Sequence, residues 1–400
     1  MAVRELHLGG GIVDKCISRA TARGRRAVHL RELSQSHMAE GNLSASHPSA
    51  RELVMTYGWN TTAYQILNPG LVHWFAPDAP AVVAYTRRHN VMLVVGAPVC
   101  AADALQSVMA SFERFASEQG CRVCYVGAAD RMRDLVTGSR EHSTIVIGAQ
   151  PVWNPQGWNA VIESRRSLRA QLTRARNKGV TIEARSLAEA DASPELDRVL
   201  DEWLRSRGMP PLHFMVEPRT LHGVVADRVL LVARRAGAAV AFLVASPVAA
   251  RNGYLIEQVA RSPRAPNGSS ELLIDAAMRR FAEDGRVYVT LGLVALSSQA
   301  ATASAINPWW LRLMTTFARA HANRFYNFRG LERFRTKMSP AHWETIYAIS
   351  NERSFSLRTL YAIGAAFSGI SPWRAIALGV VRALRHEGQR LYRSVMPRRE

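Results

Sequence analysis

The sequence predicts an α/β (α+β) fold in which one order of strands and helix occurs twice. Apolar runs bounded by turn residues read as strands, and an apolar 3.6-residue period between two of them reads as a helix. The two copies predict two domains of one kind, and an apolar fraction of 48% over 400 residues is enough for a large core. The first copy has strands 81–88 and 90–99, helix 103–119 and strand 121–129; the second has strands 228–237 and 238–248, the strand–loop–helix stretch 254–278 and strand 287–298.

These patterns divide the chain into four parts. Residues 1–45 lack periodicity and are interpreted as a mobile leader, and residues 46–178 as the N-terminal domain. Residues 179–350 are expected to form the C-terminal domain with the active site. Residues 351–400 are rich in arginine and predict a basic amphipathic helical tail, broken at Gly369 and Pro372.

The stretch from Tyr254 to Met278 is the candidate active site. Its strand carries one acid, Glu257, among apolar residues, and a basic turn begins at Arg261. Asn267, Gly268 and Ser269 then lead into an apolar-periodic helix. A strand that enters a glycine loop and a helix N-terminus presents free N–H groups to an anion or oxyanion. The alternative is an ordinary strand–loop–helix joint with a serine cap.

Charge indicates the class of partner. The chain has 51 Lys and Arg against 32 Asp and Glu, a net charge of +19, which favours nucleic acid or an anionic membrane surface. An arginine-rich composition without such a partner is the alternative. Residues 161–180 predict a basic helix that contacts RNA or lipid phosphates, unless its charges merely face solvent. The candidate phosphate ligands are Arg165, Arg169, Arg176 and Lys178.

The cysteines do not indicate a metal site. Cys121 and Cys124 form a C-x-x-C within a predicted strand, where alternation points the two thiols to different faces. No second Cys/His pair follows at zinc spacing, so no metal is predicted and the thiols are interpreted as buried and reduced. No run of about 18 apolar residues predicts a membrane-spanning helix, and the first residues do not resemble a signal peptide.

The element order of the second half is similar to that of GCN5-related N-acyltransferases (GNAT), and the first half is a weaker copy. Coenzyme A enzymes of that fold carry Q/R-x-x-G-x-G/A; here Ala265 stands three residues before Gly268, which argues against an acetyl-CoA enzyme. The chain as a whole resembles the cytosolic catalytic domain of bacterial phosphatidylglycerol lysyltransferases, the multiple peptide resistance factor family, without its membrane flippase half. The resemblance spans residues 51–350 and rests on YGWNTTAYQ, VMLVVGAPVC, RNKG, APNGSSELL, LGLVALSS and FRGLERFRTKMSPAHWETIY.

The resemblance implies tandem GNAT-like acyltransferase domains that take an amino acid from aminoacyl-tRNA and esterify a lipid headgroup hydroxyl. It also implies that the family's amino-acid-binding Asp and Arg correspond to Glu257 and Arg261. The family's late lysines correspond to Arg335 and Lys337. No cofactor is expected besides the aminoacyl-tRNA donor, because an aminoacyl ester is already activated.

Each residue type fits one task in such a transfer. Backbone N–H groups at Asn267, Gly268 and Ser269 are expected to stabilise the oxyanion, and Glu257 to bind the α-ammonium or act as base. Cationic side chains are expected to hold phosphates of the tRNA 3′ end or the lipid, and Ser269 to contact substrate. Those cations are Arg261, Arg335 and Lys337, with His213 as a lesser base candidate. For each, a structural salt bridge or surface charge is the alternative.

Three classes of function remain open from the sequence. The first is a tRNA-dependent aminoacyltransferase acting on a phosphatidylglycerol-like lipid or a related acceptor. It would be cytoplasmic and peripheral on the inner membrane face, with the basic tail on the lipid. The second is a GNAT-type N-acyltransferase that uses acyl-CoA or acyl carrier protein. The third is a non-catalytic module that binds RNA or membrane.

Overall fold

The computed structural model describes residues 48–186, 193–207, 212–222, 227–300, 303–321 and 328–369. The predicted leader and most of the predicted tail lie outside these residues. The described strands are β1 (Val72–Phe75), β2 (Val82–Arg88), β3 (Val91–Val95), β4 (Arg122–Ala128), β5 (Ser143–Trp153), β6 (Val180–Arg185), β7 (Val229–Arg235), β8 (Ala238–Val248), β9 (Gly253–Arg261), β10 (Tyr288–Thr290), β11 (Val294–Ala295) and β12 (His342–Ser350).

The described α-helices follow the same chain order. They are α1 (Ala50–Tyr57), α2 (Leu105–Glu118), α3 (Asp130–Val136), α4 (Trp158–Ser164), α5 (Arg166–Asn177), α6 (Pro194–Arg205), α7 (Ser269–Glu283), α8 (Trp309–His321), α9 (Phe328–Lys337) and α10 (Leu357–Ser368). No helix in the described part of the chain is both long and apolar enough to cross a membrane.

All described strands belong to one mixed sheet. Its order is β1-β2-β3-β4-β12-β5-β10-β9-β8-β7-β6, and β11 pairs with β5 beside this path. Helices lie on both faces, so the predicted α/β class is confirmed.

The first half contains the predicted order of elements. β2 and β3 form an antiparallel hairpin whose turn residues His89 and Asn90 have φ of 52° and 58°, the left-handed values of a tight two-residue turn. α2 then crosses over to β4, which pairs parallel to β3. Alternation sends Cys121 and Cys124 into apolar clusters on opposite faces of the sheet, as predicted, and both are buried free thiols.

The second half repeats this order. β7, β8 and β9 are antiparallel neighbours, and α7 connects β9 to β10, which runs parallel to β9. Leu273, Ala277 and Phe281 of α7 pack on one face of these strands. Leu196, Val199 and Leu200 of α6 cover the other face.

The two halves exchange strands at the centre of the sheet. β5, from the first half of the chain, lies beside β10, whereas β12, from the end of the second half, lies beside β4. β5 and β12 also pair with each other along the whole of β12. Neither strand was predicted. The domain limits at 178 and 350 stay a prediction, since a continuous sheet passes through both halves.

Two predicted elements are interrupted. The basic helix expected over 161–180 is two helices, α4 and α5, which meet at Arg165 with φ −113° and ψ 86°. Arg169 Nη1 donates to Ile162 O at 2.9 Å, so a side chain occupies a carbonyl that a continuing helix would use. The strand expected over 287–298 is split into β10 and β11 around Gly292, whose φ is 71°.

Candidate active site

The two parallel strands of the second half part from each other. β9 pairs with β10 only at Gly253–Leu255, opposite Tyr288–Thr290. Beyond Thr290 the chain continues along β5, where β11 pairs with Ala149 and Gly148. Residues 256–261 of β9 therefore have no described strand on that side. The result is an opening in the sheet, called here the β9–β10 opening.

Glu257 is the extra residue of a β-bulge at this opening. Val244 of β8 faces Gln258 and Ala245 faces Ile256, so Glu257 has no opposing residue. Its carboxylate accepts from Arg228 Nε at 2.8 Å and Nη2 at 3.2 Å, and both side chains are almost fully buried. Arg228 also donates to Asn68 Oδ1 at 3.0 Å. Arg228 thus neutralises the charge of the predicted catalytic acid.

The turn before α7 packs tightly. Gly268 has φ 96°, and a Cβ built on it would lie 2.2 Å from the carbonyl oxygen of Gln171 on α5. Ser269 is buried, and its Oγ donates to Pro266 O at 2.7 Å, whereas Asn267 is exposed. The glycine is therefore required by its left-handed backbone and by the close approach of α5. The predicted oxyanion role of Asn267 and Gly268 stays a prediction, as does substrate binding by Ser269.

α9 brings two of the predicted cations to this region. Lys337 Nζ lies 3.1 Å from Glu271 Oε1 in the first turn of α7. Arg335 Nη1 donates to Gly292 O at 2.8 Å, on the segment that leaves β9. Arg335 thus lies at the edge of the opening, and Lys337 lies at the start of α7.

The predicted residues do not all lie on one face of the sheet. Arg228, like Leu230 and Val232 after it, faces the α6 side, so the Glu257 carboxylate is on that side. α5, α7 and α9 pack with the cluster on the other face. The β9–β10 opening is the break in the sheet between Glu257 and Lys337.

The basic helix α5 lies directly against α7. Its Leu168, Leu172 and Ala175 are buried under α7, and its polar side chains point outward. Arg176 Nη2 reaches the buried Asp275 at 3.1 Å but remains about half exposed. The other three predicted phosphate ligands, at 165, 169 and 178, are exposed. Phosphate binding by these four residues stays a prediction.

Two predicted residues lie at other places. Arg261 is the last residue of β9 and is partly buried, opposite Ala241 of β8. The exposed His213 ring packs against Gly369 at the end of α10, and its backbone N–H donates to Phe367 O at 2.9 Å. The surroundings of His213 are those of a residue that holds α10 in place.

Sequence reasoning missed a buried polar cluster between the halves. Glu344 of β12 accepts from Arg251, from Tyr288 Oη at 3.1 Å and from Gln150 Nε2 at 2.8 Å. Burial opposes ionisation, but the hydrogen bond and charge of Arg251 lower the pKa of Glu344 overall. Arg251 lies 3.6 Å from the Tyr288 ring centroid. Arg228 was missed as well, although an arginine at the start of an apolar strand is a signal for a buried partner.

Comparison with known proteins identifies the family of this chain. The family model for phosphatidylglycerol lysyltransferase, C-terminal, matches residues 51–350. The chain belongs to this family. Membership confirms the predicted resemblance and places the chain in a family of aminoacyltransferases.

Full-length relatives are distant and much longer. Phosphatidylglycerol lysyltransferase from Staphylococcus epidermidis is 21% identical over 84% of this chain and 37% of its own length. The lysylphosphatidylglycerol biosynthesis bifunctional protein LysX from Rhodococcus jostii is 22% identical over 90% of this chain and 32% of its own. The chain thus spans about a third of these relatives.

Solved structures support the fold. The C-terminal domain of a lysylphosphatidylglycerol synthetase from Agrobacterium fabrum aligns with a TM-score of 0.64 and 20% identity, covering 80% of this chain and 98% of that domain. L-PGS from Bacillus licheniformis aligns with a TM-score of 0.64 and 18% identity, covering 82% and 99%.

Proposed function

We propose that this chain transfers an amino acid from aminoacyl-tRNA to the headgroup hydroxyl of phosphatidylglycerol at the cytoplasmic face of the membrane. The observation that carries the proposal is the β9–β10 opening, flanked by cations, in a chain whose residues 51–350 match the lysyltransferase family. The relatives from Staphylococcus epidermidis and Rhodococcus jostii, which are named for phosphatidylglycerol, support the choice of lipid. The basic helix beside the site and the activated ester that the transfer needs support aminoacyl-tRNA as the donor.

The opening suits an ester. Residues 256–261 have no described strand on the β10 side, and the extra residue Glu257 leaves the ladder to β8 locally unpaired. A carbonyl placed there meets fixed N–H donors, which stabilise the negative charge that develops during attack. The start of α7 adds the positive end of its dipole.

The cationic side chains are proposed to bind phosphate groups of both substrates. The lipid hydroxyl belongs to a phosphodiester headgroup, and Lys337 and Arg335 lie at the start of α7 and at Gly292. Helix α5, which carries the exposed arginines, packs against the same turn through Gln171 and Gly268, and the 3′ end of a tRNA would approach there. Arginine and lysine bind phosphate through charge-assisted hydrogen bonds.

The reaction needs positioning more than a nucleophilic side chain. The lipid hydroxyl oxygen bonds to the carbonyl carbon, the bond from that carbon to the terminal tRNA ribose oxygen breaks, and the proton ends on the released ribose hydroxyl. A carboxylate has about four acceptor sites, and Arg228 uses two of them at Glu257. The remaining sites are the proposed place for the α-ammonium of the amino acid.

The test is transfer by the purified full chain. Total tRNA charged with a labelled amino-acid mixture is incubated with the protein and phosphatidylglycerol vesicles, and label in the chloroform phase is identified by mass spectrometry. The expected result is an aminoacylated phosphatidylglycerol whose formation is abolished by ribonuclease and is not supported by free amino acids. No lipid product from any charged tRNA, together with acyl transfer from an acyl-CoA, would overturn the proposal in favour of an N-acyltransferase.

A further inference from the structure

Exposed large apolar side chains are concentrated at the start of α8. Trp309 is 72% exposed and Leu313 65%, and Ile306 and Met314 are exposed beside them in sequence. Single exposed apolar residues are ordinary, whereas a contiguous group marks a site of interaction. Trp309 and Leu313, the two most exposed of these residues, are called here the α8 patch.

The patch is one face of an anchored helix. Trp309 and Leu313 are four residues apart and therefore lie one turn apart on the same side of α8. Trp310 and Leu311 point the other way and pack into the apolar cluster of the first half. The inner side of α8 is thus held by the core while the outer side presents its largest apolar residues to solvent.

The surroundings of the patch are free of acids in the sequence. No Asp or Glu occurs between Asp284 and Glu332, and Arg312 is exposed within α8 itself. An exposed apolar helix face with an exposed arginine beside it is complementary to an interface that is apolar inside and anionic outside.

We propose that the α8 patch docks the protein on an anionic lipid bilayer. The Leu313 side chain enters the boundary between headgroups and acyl chains, and the Trp309 ring lies at headgroup level. Arg312 contacts lipid phosphates. This surface differs from the tail expected to dock from the sequence, and α8 is the helix that precedes α9 and its cations.

Charge favours a bilayer over a second copy of this chain. A symmetric contact through the patch would bring Arg312 near Arg312 of the copy, and like charges directly opposed are unfavourable. A bilayer that contains phosphatidylglycerol instead places negatively charged headgroups opposite Arg312. The docking claim rests on the proposed function only for the identity of the membrane, because vesicle binding requires no transfer.

The experiment measures binding of the full chain to vesicles by flotation. Phosphatidylglycerol–phosphatidylcholine vesicles are compared with pure phosphatidylcholine, for wild type and for Trp309→Ser/Leu313→Ser. Each lost apolar side chain removes buried area, so the double variant is expected to bind the anionic vesicles roughly tenfold or more weakly. Thr316→Leu extends the same face by one turn and is expected to strengthen binding, which guards against a merely unfolded double variant.

A matched control lies on the opposite face of the sheet. Leu135 is also exposed, and its helix α3 packs through Met132 and Val136 on the face away from Trp310 and Leu311. Leu135→Ser is expected to bind like wild type. The proposal is overturned if the wild type does not bind anionic vesicles, or if Trp309→Ser/Leu313→Ser and Leu135→Ser bind them equally well. It is also overturned if the wild type is a dimer and the double variant is a monomer.

Docking and transfer fail separately. If docking holds, the double variant loses transfer to vesicle phosphatidylglycerol but keeps transfer to a short-chain phosphatidylglycerol dispersed in water. Vesicle binding by a wild type that transfers nothing would contradict the proposed function and leave docking intact.

Discussion

The molecule contains two strand–helix–strand units with parallel strands, β3-α2-β4 and β9-α7-β10, called here the two joints. They differ in how far their two strands stay paired. β3 and β4 stay paired over five residues, Val91–Val95 opposite Arg122–Val126, and Gly96 N–H continues the ladder to Val126 O at 2.8 Å. β9 and β10 pair over three residues and then part. The same β-α-β order therefore produces a closed joint in the first half and an open one in the second.

The loops reinforce this difference. A Cβ on Gly96 would lie 2.2 Å from Asn60 Nδ2, so a loop of the first half packs directly onto its closed joint. What remains there is a small recess lined by residues such as Trp59, Leu105 and Arg131. In the second half α5 and Lys337 meet the start of α7 instead. The joint of the second half is therefore the candidate site, because its strands part and cationic side chains lie beside it.

The largest expected effect comes from the buried ion pair at the open joint. Arg228→Leu leaves the Glu257 carboxylate buried without its partner, and such a loss costs about 3–5 kcal/mol of unfolding free energy. Arg228→Leu/Glu257→Leu removes both charges and is expected to recover most of that loss. Urea unfolding followed by circular dichroism measures both variants.

The control for this pair belongs to the closed joint. Arg122 of β4 contacts Glu352 at 2.6 Å, but its side chain is 46% exposed, so Arg122→Leu is expected to cost less than about 1 kcal/mol. Equal losses for Arg228→Leu and Arg122→Leu would show that Glu257 is not held as the structure describes.

The next effect concerns the turn before α7. Gly268→Ala combines a left-handed backbone with a clash against Gln171 O, and is expected to lower the unfolding free energy by about 2–4 kcal/mol. Gly120→Ala, at φ 64° after α2, meets nothing within 4 Å and should cost only the backbone strain of about 1–2 kcal/mol. The same unfolding assay decides, and indistinguishable losses would refute close packing of α5 on Gly268.

A smaller expected effect is on the pH dependence of stability, which should differ in direction between the two halves. In the first half, the hydrogen bond that His142 donates to the Glu113 carboxylate, opposed by partial burial, raises the pKa of His142. Its stabilisation is therefore fully present below the unfolded pKa of about 6.5 and is lost as pH rises through the folded value. His142→Gln is expected to lower stability at pH 5.5 and to match wild type at pH 9. A deficit that does not shrink as pH rises would contradict this assignment.

In the second half the direction is opposite. A hydrogen bond from Ser262, assisted by Arg264 and Arg198 and opposed by desolvation, lowers the pKa of Glu202 to about 2. The stabilisation is present above the unfolded pKa of about 4.3 and is lost as pH falls through the folded value. Glu202→Gln should thus be less stable than wild type at pH 6 and equal to it only at strongly acid pH. Thermal melts across this range measure the difference.

The sequence was sufficient for elements with clear alternation and turn chemistry. Strand β2 was predicted to within one residue and β8 at its exact bounds, whereas β3 ends at Val95, four residues before the predicted end. β5 was missed because Gln150 and Pro151 interrupt its apolar pattern, and β12 because its first residues are polar or aromatic. Their pairing is a long-range exchange that no local pattern encodes.

The candidate site was predictable only in part for the same reason. The strand, turn and helix around Glu257 and Gly268 follow from local residue types. The opening does not, because β10 leaves β9 in order to follow β5. The Arg228 partner of Glu257 and the approach of Gln171 to Gly268 are likewise contacts between segments distant in sequence.

The most direct test of the central claim asks which joint carries the reaction. Ribonuclease-sensitive transfer of label to phosphatidylglycerol is measured for Lys337→Met, beside the open joint, and for Arg131→Met, in the recess of the closed one. The account predicts that kcat/KM falls roughly tenfold or more for Lys337→Met, equivalent to the loss of one charge-assisted contact, and stays within about twofold for Arg131→Met. Loss of transfer in Arg131→Met with full transfer in Lys337→Met would contradict it.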